Sequence, residues 1–148
     1  MQLRYLAAGI KMYKLPQQLL EWHDYSTRLT RTDKRYTSEA FFKTKAKYFQ
    51  AWPAKHNRSH PNIWVWGAGR KTRQRSKFFE KEGLVIDGYI DIVQPKSSQQ
   101  TTLHYTELPA PGKMFIVSMV TKIGARKLIK DFLLKANYIE GEDFILMG

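Results

Sequence analysis

The stretch Asn62–Asp91 constrains the fold of this chain more than any other. It opens with four consecutive β-forming residues, Ile63–Trp66, apolar at every position as in a strand buried on both faces. A Gly-Ala-Gly turn interrupts the run, and the polar segment Arg70–Glu82 then fits a helix of about three to four turns. Leu84–Ile92 is again rich in β-formers. The order strand, glycine turn, helix, strand predicts the first half of a Rossmann-type α/β unit.

The predicted helix carries its small and apolar residues on one stripe. Thr72, Ser76 and Phe79 lie three to four positions apart, with Phe78 beside them. Gly83 follows in the position that favours a helix C-terminal cap. This stripe is therefore expected to face the sheet.

The turn has the residue types of a nucleotide site. Glycines let a phosphate approach the main chain, and a helix start offers unpaired N–H groups and a partial positive charge. Asp91 lies 24 positions after Gly67, at the end of the second strand, where it could accept a hydrogen bond from a ribose hydroxyl. Thr72 replaces the third glycine of the usual pattern. The predicted nucleotide-binding residues here are Gly67, Ala68, Gly69, Arg70, Arg73 and Asp91.

A plainer interpretation stays open beside this one. Gly67 and Gly69 would then make a tight turn in an α/β domain that binds no ligand, because a fold does not imply a function. The basic residues that follow would be a solvated helix face.

The rest of the C-terminal half supplies three more predicted strands and a helix. The strands are Thr101–Tyr105, Met114–Val120 and a last one over residues 143–147. The helix has an apolar stripe that we assign to the core, formed by Ala125, Leu128, Ile129, Phe132, Leu133 and Ala136.

Right-handed crossovers fix the expected strand order. The second strand should lie beside the first, then the strand at 114–120, then the last, with the minor strand near 102 outside the second. The chain reverses its direction of travel between the first strand and the strand at 114–120, and open α/β sheets bind ligands at such a point. Val120–Gly124 should line the far wall, so we add Gly124 and Arg126 to the predicted nucleotide-binding residues.

Composition limits the class of protein. The 148 residues suffice for about one domain with a core, and 43% hydrophobic content argues against disorder. The chain has no cysteine for disulfides or thiolate metal sites, and no apolar run approaches about 18 residues. His56 and His60 have no acidic neighbour, so a metal site there is disfavoured. The net charge is +12, and residues 1–60 carry 12 basic and 4 acidic side chains, which suits nucleic acid, an anionic membrane surface or nucleotide phosphates.

The N-terminal part has a different organisation. Residues 2–8 are expected to end a helix at Gly9, and Ile10–Leu15 and Leu19–Tyr25 are expected to form short strands. A polar loop, 26–37, then leads to a helix from Ser38 to about Trp52. We therefore divide the chain into residues 1–37, a small α+β remnant of a larger domain; 38–60, a helix and linker; and 61–148, a Rossmann-like domain with an open, mainly parallel sheet.

Two parts of the sequence carry a family resemblance. The stretch LAAGIKMYKLPQQLLEWHDYSTRLTR resembles the C-terminal end of the GT-A catalytic domain of family 2 glycosyltransferases, with a helix ended by Gly9, then Leu15-Pro16, Trp22-His23 and a Ser/Thr-rich tail. Relatives often have an arginine where this chain has Trp22. The segments IWVWGAGRKTRQR, GYIDI, LPAPGKMFIVSMV, GARKLI and EGEDFILMG resemble, in order, a Rossmann-like domain that follows the catalytic domain in some bacterial family 2 enzymes.

The resemblance implies sugar transfer from a nucleotide-sugar to a glycan precursor, in the cytoplasm or at the inner face of the membrane. In that family the donor-binding strand, the metal-binding Asp-x-Asp pair and the catalytic base lie upstream of such a segment. This chain has no Asp-x-Asp, so it is expected to be a C-terminal piece that is inactive alone and holds no cofactor, with Mg²⁺ or Mn²⁺ belonging to an intact GT-A domain. His23 and Arg28 would be remnants of the transferase pocket, although His23 also fits an ordinary structural histidine.

Other functions remain in competition. The chain also fits a stand-alone nucleotide-sugar-binding or partner-docking module without catalysis, similar in its glycine turn to the N-terminal domain of sialic-acid-type O-acetyltransferases. A nucleic-acid-binding protein is less supported, because no helix-turn-helix, zinc or RNA-recognition signature is present. A dehydrogenase is also less supported, because no proton-transfer pair stands near the expected crevice.

Overall fold

A computed structural model describes residues 5, 8–11, 13, 15–18, 25–51, 61–93 and 101–148. The helices are α1 (Leu29–Thr32), α2 (Ser38–Ala51), α3 (Arg70–Lys81) and α4 (Ile123–Lys135), with 3₁₀ turns at Lys34–Tyr36 and Tyr105–Glu107. The strands are β1 (Asn62–Trp66), β2 (Val85–Asp91), β3 (Thr102–His104), β4 (Ile116–Ser118) and β5 (Phe144–Leu146).

The five strands form one parallel sheet with helices on both faces, in the order β3-β2-β1-β4-β5. This is a Rossmann-like open α/β sheet, and the strand order is the one that right-handed crossovers predict. The predicted helix from 70 is also confirmed: Glu82 caps it and Gly83 has a φ of +89°, as at a C′ position.

One face of the sheet is covered by α2 and α3. Their buried side chains include Phe42 and Phe49 from α2 and Phe79 from α3, which pack with Ile63 and Val65 of the central strand. The ring centroids of Phe49 and Phe79 lie 5.6 Å apart in an edge-to-face contact. Helix α2 is therefore part of the same core as the sheet, although its sequence position predicted a connecting segment.

The opposite face is covered by α4. Ile129 and Leu133 of this helix pack with Trp66, Ile90 and other inward residues of the sheet. Trp66 meets Phe132 edge to face at 5.9 Å between centroids. Because β1 sends Ile63 and Val65 to one layer and Trp66 to the other, its continuous apolar run is explained by burial on both sides.

Two sequence predictions need correction, one about a core position and one about a loop. Leu128 was assigned to the core stripe of α4, yet it is 71% exposed, because the helix turns Ile129 and Leu133 inward instead.

The segment 26–37 was predicted as a loop, but it contains α1 and the first 3₁₀ turn, which Asp33 caps by accepting the Arg35 N–H at 2.8 Å. Asp33 also pairs with the Arg35 guanidinium, and this contact lowers the pKa of the carboxyl.

The first predicted N-terminal strand, Ile10–Leu15, is not supported, because the described residues 10, 11, 13 and 15 lie outside any strand. The second, Leu19–Tyr25, stays a prediction, because residues 19–24 lie outside the part of the chain that the structure describes. The predicted helix end fits, since Tyr5 is helical and Gly9 has a φ of +75°.

A buried carboxylate fixes the start of β5. Asp143 accepts the N–H of Gly112 at 2.9 Å and the N–H of Ile139 at 2.8 Å. Tyr138 is buried next to it and donates its hydroxyl to the carbonyl of Pro109, and burial followed by the charge of Asp143 raises the pKa of Tyr138. These bonds join the turn before β4 to the turn before β5.

Contact between β1 and β2 depends on a glycine. A Cβ on Gly88 would lie 2.5 Å from Cζ3 of Trp64 and 2.7 Å from the main-chain oxygen of Thr101. The register between the two strands shifts just before Trp64, which places the indole against this bare position. The central strand can therefore carry a tryptophan where the facing strand has no side chain.

We expect Gly88→Ala to lower the free energy of unfolding by about 1–3 kcal/mol, because the main chain at Thr101 and the packed indole leave no room for a methyl group. Urea unfolding followed by tryptophan fluorescence measures the change. Gly124→Ala is the control, since nothing lies within 4 Å of a Cβ at that helical position. A Gly88→Ala variant as stable as Gly124→Ala would contradict this account of the strand pairing.

Candidate functional site at the carboxyl edge of the sheet

The candidate site lies where β1 and β4 end side by side. From β1 the chain travels to β2 on one side, and β4 is followed by β5 on the other, so the carboxyl ends of β1 and β4 form the switch point of the sheet. The glycine turn follows β1 at this point, and the segment 119–122 follows β4. The structure thus brings together the two walls that the sequence predicted.

Gly67 is required by the main chain of the turn. Its φ is +106°, and its N–H donates to the carbonyl of Ile90 at 2.7 Å. A Cβ there would also lie 3.1 Å from Oγ1 of Thr72 and 3.4 Å from Cγ2 of Val120. Thr72, which replaces the third glycine of the dinucleotide pattern, is therefore accommodated because the residue opposite it is glycine.

Asp91 has a structural role in addition to the predicted one. Its Oδ2 accepts the Ala68 N–H at 2.8 Å, and its Oδ1 accepts the N–H of Ile92 at 2.7 Å and that of Val93 at 3.3 Å. Asp91 therefore joins the end of β2 to the glycine turn. Its role as a ribose acceptor stays a prediction, because a carboxylate can accept more hydrogen bonds than these three.

The start of α3 offers the main-chain donors of the site. Gly69 is the N-cap residue, with φ −68° and ψ 158°, and no side chain caps the helix. The first N–H groups of a helix have no partner within it, so those of Arg70 and Lys71 point out from the turn. No acidic residue lies in this first turn, and the side chains of Arg70 and Lys71 are exposed. The local field is therefore positive and favours an anion.

Arg73, a predicted phosphate ligand, also holds the turn in place. Its Nε donates to the carbonyl of Ala68 at 2.8 Å, and its guanidinium lies 4.1 Å from the centroid of the Tyr89 ring. The Tyr89 hydroxyl in turn lies 2.7 Å from Oγ of the buried Ser76. Arg73 therefore stabilises the turn from the α3 face of the sheet.

Two more arginines donate to the main chain at the carboxyl ends of β4 and β5. Arg126, in the first turn of α4, donates to the carbonyl of Gly148 at 2.8 Å and to that of Leu146 at 3.4 Å, so it lies at the end of β5. Arg75 of α3 donates to the carbonyl of Met119 at 3.1 Å and to Oγ of Ser38 at 3.2 Å. The prediction placed Arg126 opposite the glycine turn, whereas its described bonds hold it one strand further out.

Lys45 of α2 also lies at this edge of the sheet, and sequence reasoning did not predict it. It is half-buried, donates to the carbonyl of Met147 and lies 5.3 Å from the Phe42 ring centroid. Burial lowers the pKa of Lys45, and the charges of Arg126 and Arg75 lower it further. Its place beside the apolar stripe of Phe42, Ala46 and Phe49 was the signal in the sequence, because a lysine at the edge of a buried stripe must find a polar partner.

A groove opens next to the turn, between the start of α2 and the start of α3. Its volume is about 490 Å³, and its lining is formed by Ser38, Glu39, Lys71, Gln74, Arg75 and Phe78. This size is within the range of small-molecule sites. The groove connects Lys71 in the first turn of α3 with Arg75 of the same helix, which bonds to the main chain at the end of β4.

A buried hydroxyl marks the same edge. Ser118 is the last residue of β4, pairs with Trp66 in the parallel register and is fully buried. Its Oγ has no hydrogen-bond partner among the described residues. A polar atom left unpaired inside a protein costs about 1–3 kcal/mol, so this hydroxyl is an unfavourable feature of the edge unless a partner reaches it.

The remaining predicted residues lie elsewhere. Gly124 is exposed in the first turn of α4, with open space around its Cα. Arg28 precedes α1, and its carbonyl accepts the N–H groups of Arg31 and Thr32. His23 lies outside the described residues. Of the two residues predicted as remnants of the transferase pocket, the structure therefore describes only Arg28, which lies at the N-cap of α1.

Comparison with protein families, with curated proteins and with solved structures finds no match for this chain. Within the described ranges, no helix is both long enough and apolar enough to cross a membrane. Across the same residues, no three His, Cys, Asp or Glu side chains are grouped closely enough to hold a metal ion. Function must therefore be argued from the site.

We expect Asp91→Asn to lower the free energy of unfolding by about 1–2 kcal/mol without any ligand, because an amide nitrogen would face a main-chain N–H in place of a carboxylate oxygen. Chemical denaturation measures the change. Asp87→Asn is the matched control on the same strand, since Asp87 is exposed and accepts from the side chain of Asn62 at 2.8 Å. Equal losses in the two variants would show that Asp91 does not hold the turn.

Proposed function

We propose that the Rossmann-like domain binds the phosphate group of a nucleotide or nucleotide-sugar at the start of α3. The observation that carries the proposal is the bare helix start at Gly69, which has no side-chain cap and nothing within 4 Å of a Cβ. Unpaired N–H groups, the helix dipole and two exposed cations converge there, at the switch point of a parallel sheet.

The contacts of Asp91 and Arg73 support this location. The N–H groups of Gly67 and Ala68 are already bound within the turn, so the donors left for a ligand begin at Gly69. The phosphate would therefore sit over the first turn of the helix, among Gly69, Arg70 and Lys71. Asp91 and Arg73 hold the turn in shape.

We further propose that the chain is the C-terminal portion of a family 2 glycosyltransferase that transfers sugar from a nucleotide-sugar to a glycan precursor. The support is the sequence resemblance described above. With this function goes a cytoplasmic location at the inner face of the membrane, where the basic N-terminal residues would meet anionic lipid headgroups. Without such a catalytic partner, the same domain would act as a nucleotide-sugar-binding or partner-docking module.

The test of the phosphate site is Gly69→Val. The main-chain angles of Gly69 are open to any residue and its surroundings are empty, so the variant should fold, with a loss of stability of about 1 kcal/mol or less from the poorer N-cap. The branched side chain should block the anion. We expect the affinity for UDP or GDP, measured by calorimetry, to fall at least about tenfold, since one charge-assisted hydrogen bond contributes that much.

Two charge-matched variants complete this test. Arg70→Ala at the start of α3 should weaken UDP or GDP binding, and Lys81→Ala at the end of the same helix should not, because the field of the helix start acts within one turn. NAD and a nucleotide-sugar are titrated as further ligands in the same calorimetric experiment. If Gly69→Val keeps its circular dichroism spectrum and binds as tightly as the wild type, the ligand site is elsewhere. If no nucleotide binds below millimolar concentration, the docking function replaces this proposal.

The glycosyltransferase proposal has a separate test. The chain alone should release no nucleotide from UDP- or GDP-sugars in the presence of Mn²⁺ or Mg²⁺, because its sequence contains no Asp-x-Asp pair. Nucleotide release is followed with a coupled assay against buffer. Metal-dependent turnover above the buffer rate would refute the assignment of the catalytic residues to a separate domain.

A further inference from the structure

We propose that Lys45, Arg75 and Arg126 form a second anion subsite of the same crevice, so that the domain takes a ligand with at least two phosphate groups. This inference rests on the proposed phosphate site at Gly69–Lys71 and specifies its ligand class. We call the three residues the cation cluster.

The cation cluster is assembled by three different helices. Lys45 comes from α2, Arg75 from α3 and Arg126 from α4, so both layers of the fold contribute. All three side chains donate to main-chain carbonyls at the carboxyl ends of β4 and β5, which are those of Met119, Leu146, Met147 and Gly148. This arrangement holds three cations at the edge of the sheet where ligands of open α/β folds bind.

The charge of the cluster is balanced only in part by its own contacts. Its described partners are main-chain oxygens, the Ser38 hydroxyl and the rings of Phe41 and Phe42, and none of them is a carboxylate side chain. In the given sequence Gly148 is the last residue, so the oxygen that Arg126 binds belongs to an α-carboxylate, and three cations face this one negative charge. Lys45 is half-buried, where repulsion between like charges is less screened than in water. The lowered pKa of Lys45, caused by burial and then by Arg126 and Arg75, agrees with this repulsion. An anion bound among the three would relieve it.

The cluster and the helix start are close enough for one ligand. β1 and β4 are neighbours and β5 is the next strand, so the two subsites lie one to two strand spacings apart, about 5–10 Å. The groove lined by Lys71 and Arg75 connects them, and these two cations outnumber its one carboxylate, Glu39. Two linked phosphates, with a further group in the groove, match this spacing.

The experiment compares inorganic phosphate with pyrophosphate on the intact chain at constant ionic strength, by calorimetry. Pyrophosphate should bind at least about tenfold more tightly than phosphate, as expected from added charge-assisted hydrogen bonds. Lys45→Met should remove most of that advantage. Lys47→Met is the control, because Lys47 is exposed on the same helix. Arg126→Gln, which keeps amide donors and loses the charge, repeats the test if Lys45→Met fails to fold.

The outcomes separate this inference from the function on which it rests. If phosphate and pyrophosphate bind equally, or if Lys47→Met weakens pyrophosphate binding as much as Lys45→Met, the cation cluster is not a subsite. If Gly69→Val leaves both affinities intact while Lys45→Met weakens pyrophosphate binding, the cluster binds anions and the helix-start site fails. Weaker binding of both anions in Gly69→Val, with loss of the pyrophosphate advantage in Lys45→Met, supports both.

Discussion

The edge of the sheet that could receive a ligand depends on the bond between the Asp91 carboxylate and the Ala68 N–H. Gly67 turns the chain sharply out of β1 with a positive φ, and this conformation leaves the next N–H pointing sideways toward β2. Asp91 accepts that N–H and at the same time fixes the two residues after β2. Since Arg73 braces the same turn through the carbonyl of Ala68, the main chain there is held from both sides before α3 begins.

Charged groups are unevenly distributed along the carboxyl edge of the sheet, on the two sides of the fixed turn. A carboxylate stands at the end of β2, while the cation cluster stands at the ends of β4 and β5, and the uncapped start of α3 lies between them. An anion at the helix start is repelled from the first side and attracted to the second. This distribution of charge would favour an anion in the groove between α2 and α3 over one beside β2.

Sequence patterns were sufficient for the elements of the C-terminal sheet but not for their side-chain partners. The apolar run at Ile63–Trp66, the glycine after it and the Thr72, Ser76, Phe79 stripe are local signals, and with the handedness rule they predicted the strand order. The role of Asp91, the inward turn of Arg73 and the position of Lys45 depend on residues more than four positions away along the chain. Leu128 was misplaced for a related reason, because an apolar stripe wider than the contact surface of α4 does not reveal which edge remains exposed.

The details of the turn also limit what kind of recognition it can provide. In the usual dinucleotide pattern, a free acidic residue at the end of the second strand distinguishes the ribose, and three glycines bring the helix close to the pyrophosphate. Here the acidic residue is bound to the turn, and Thr72 stands in the third position against Gly67. The groups at the proposed phosphate site are main-chain donors and cations. This site would therefore discriminate its ligands by the number and spacing of phosphate groups more strongly than by the nucleoside.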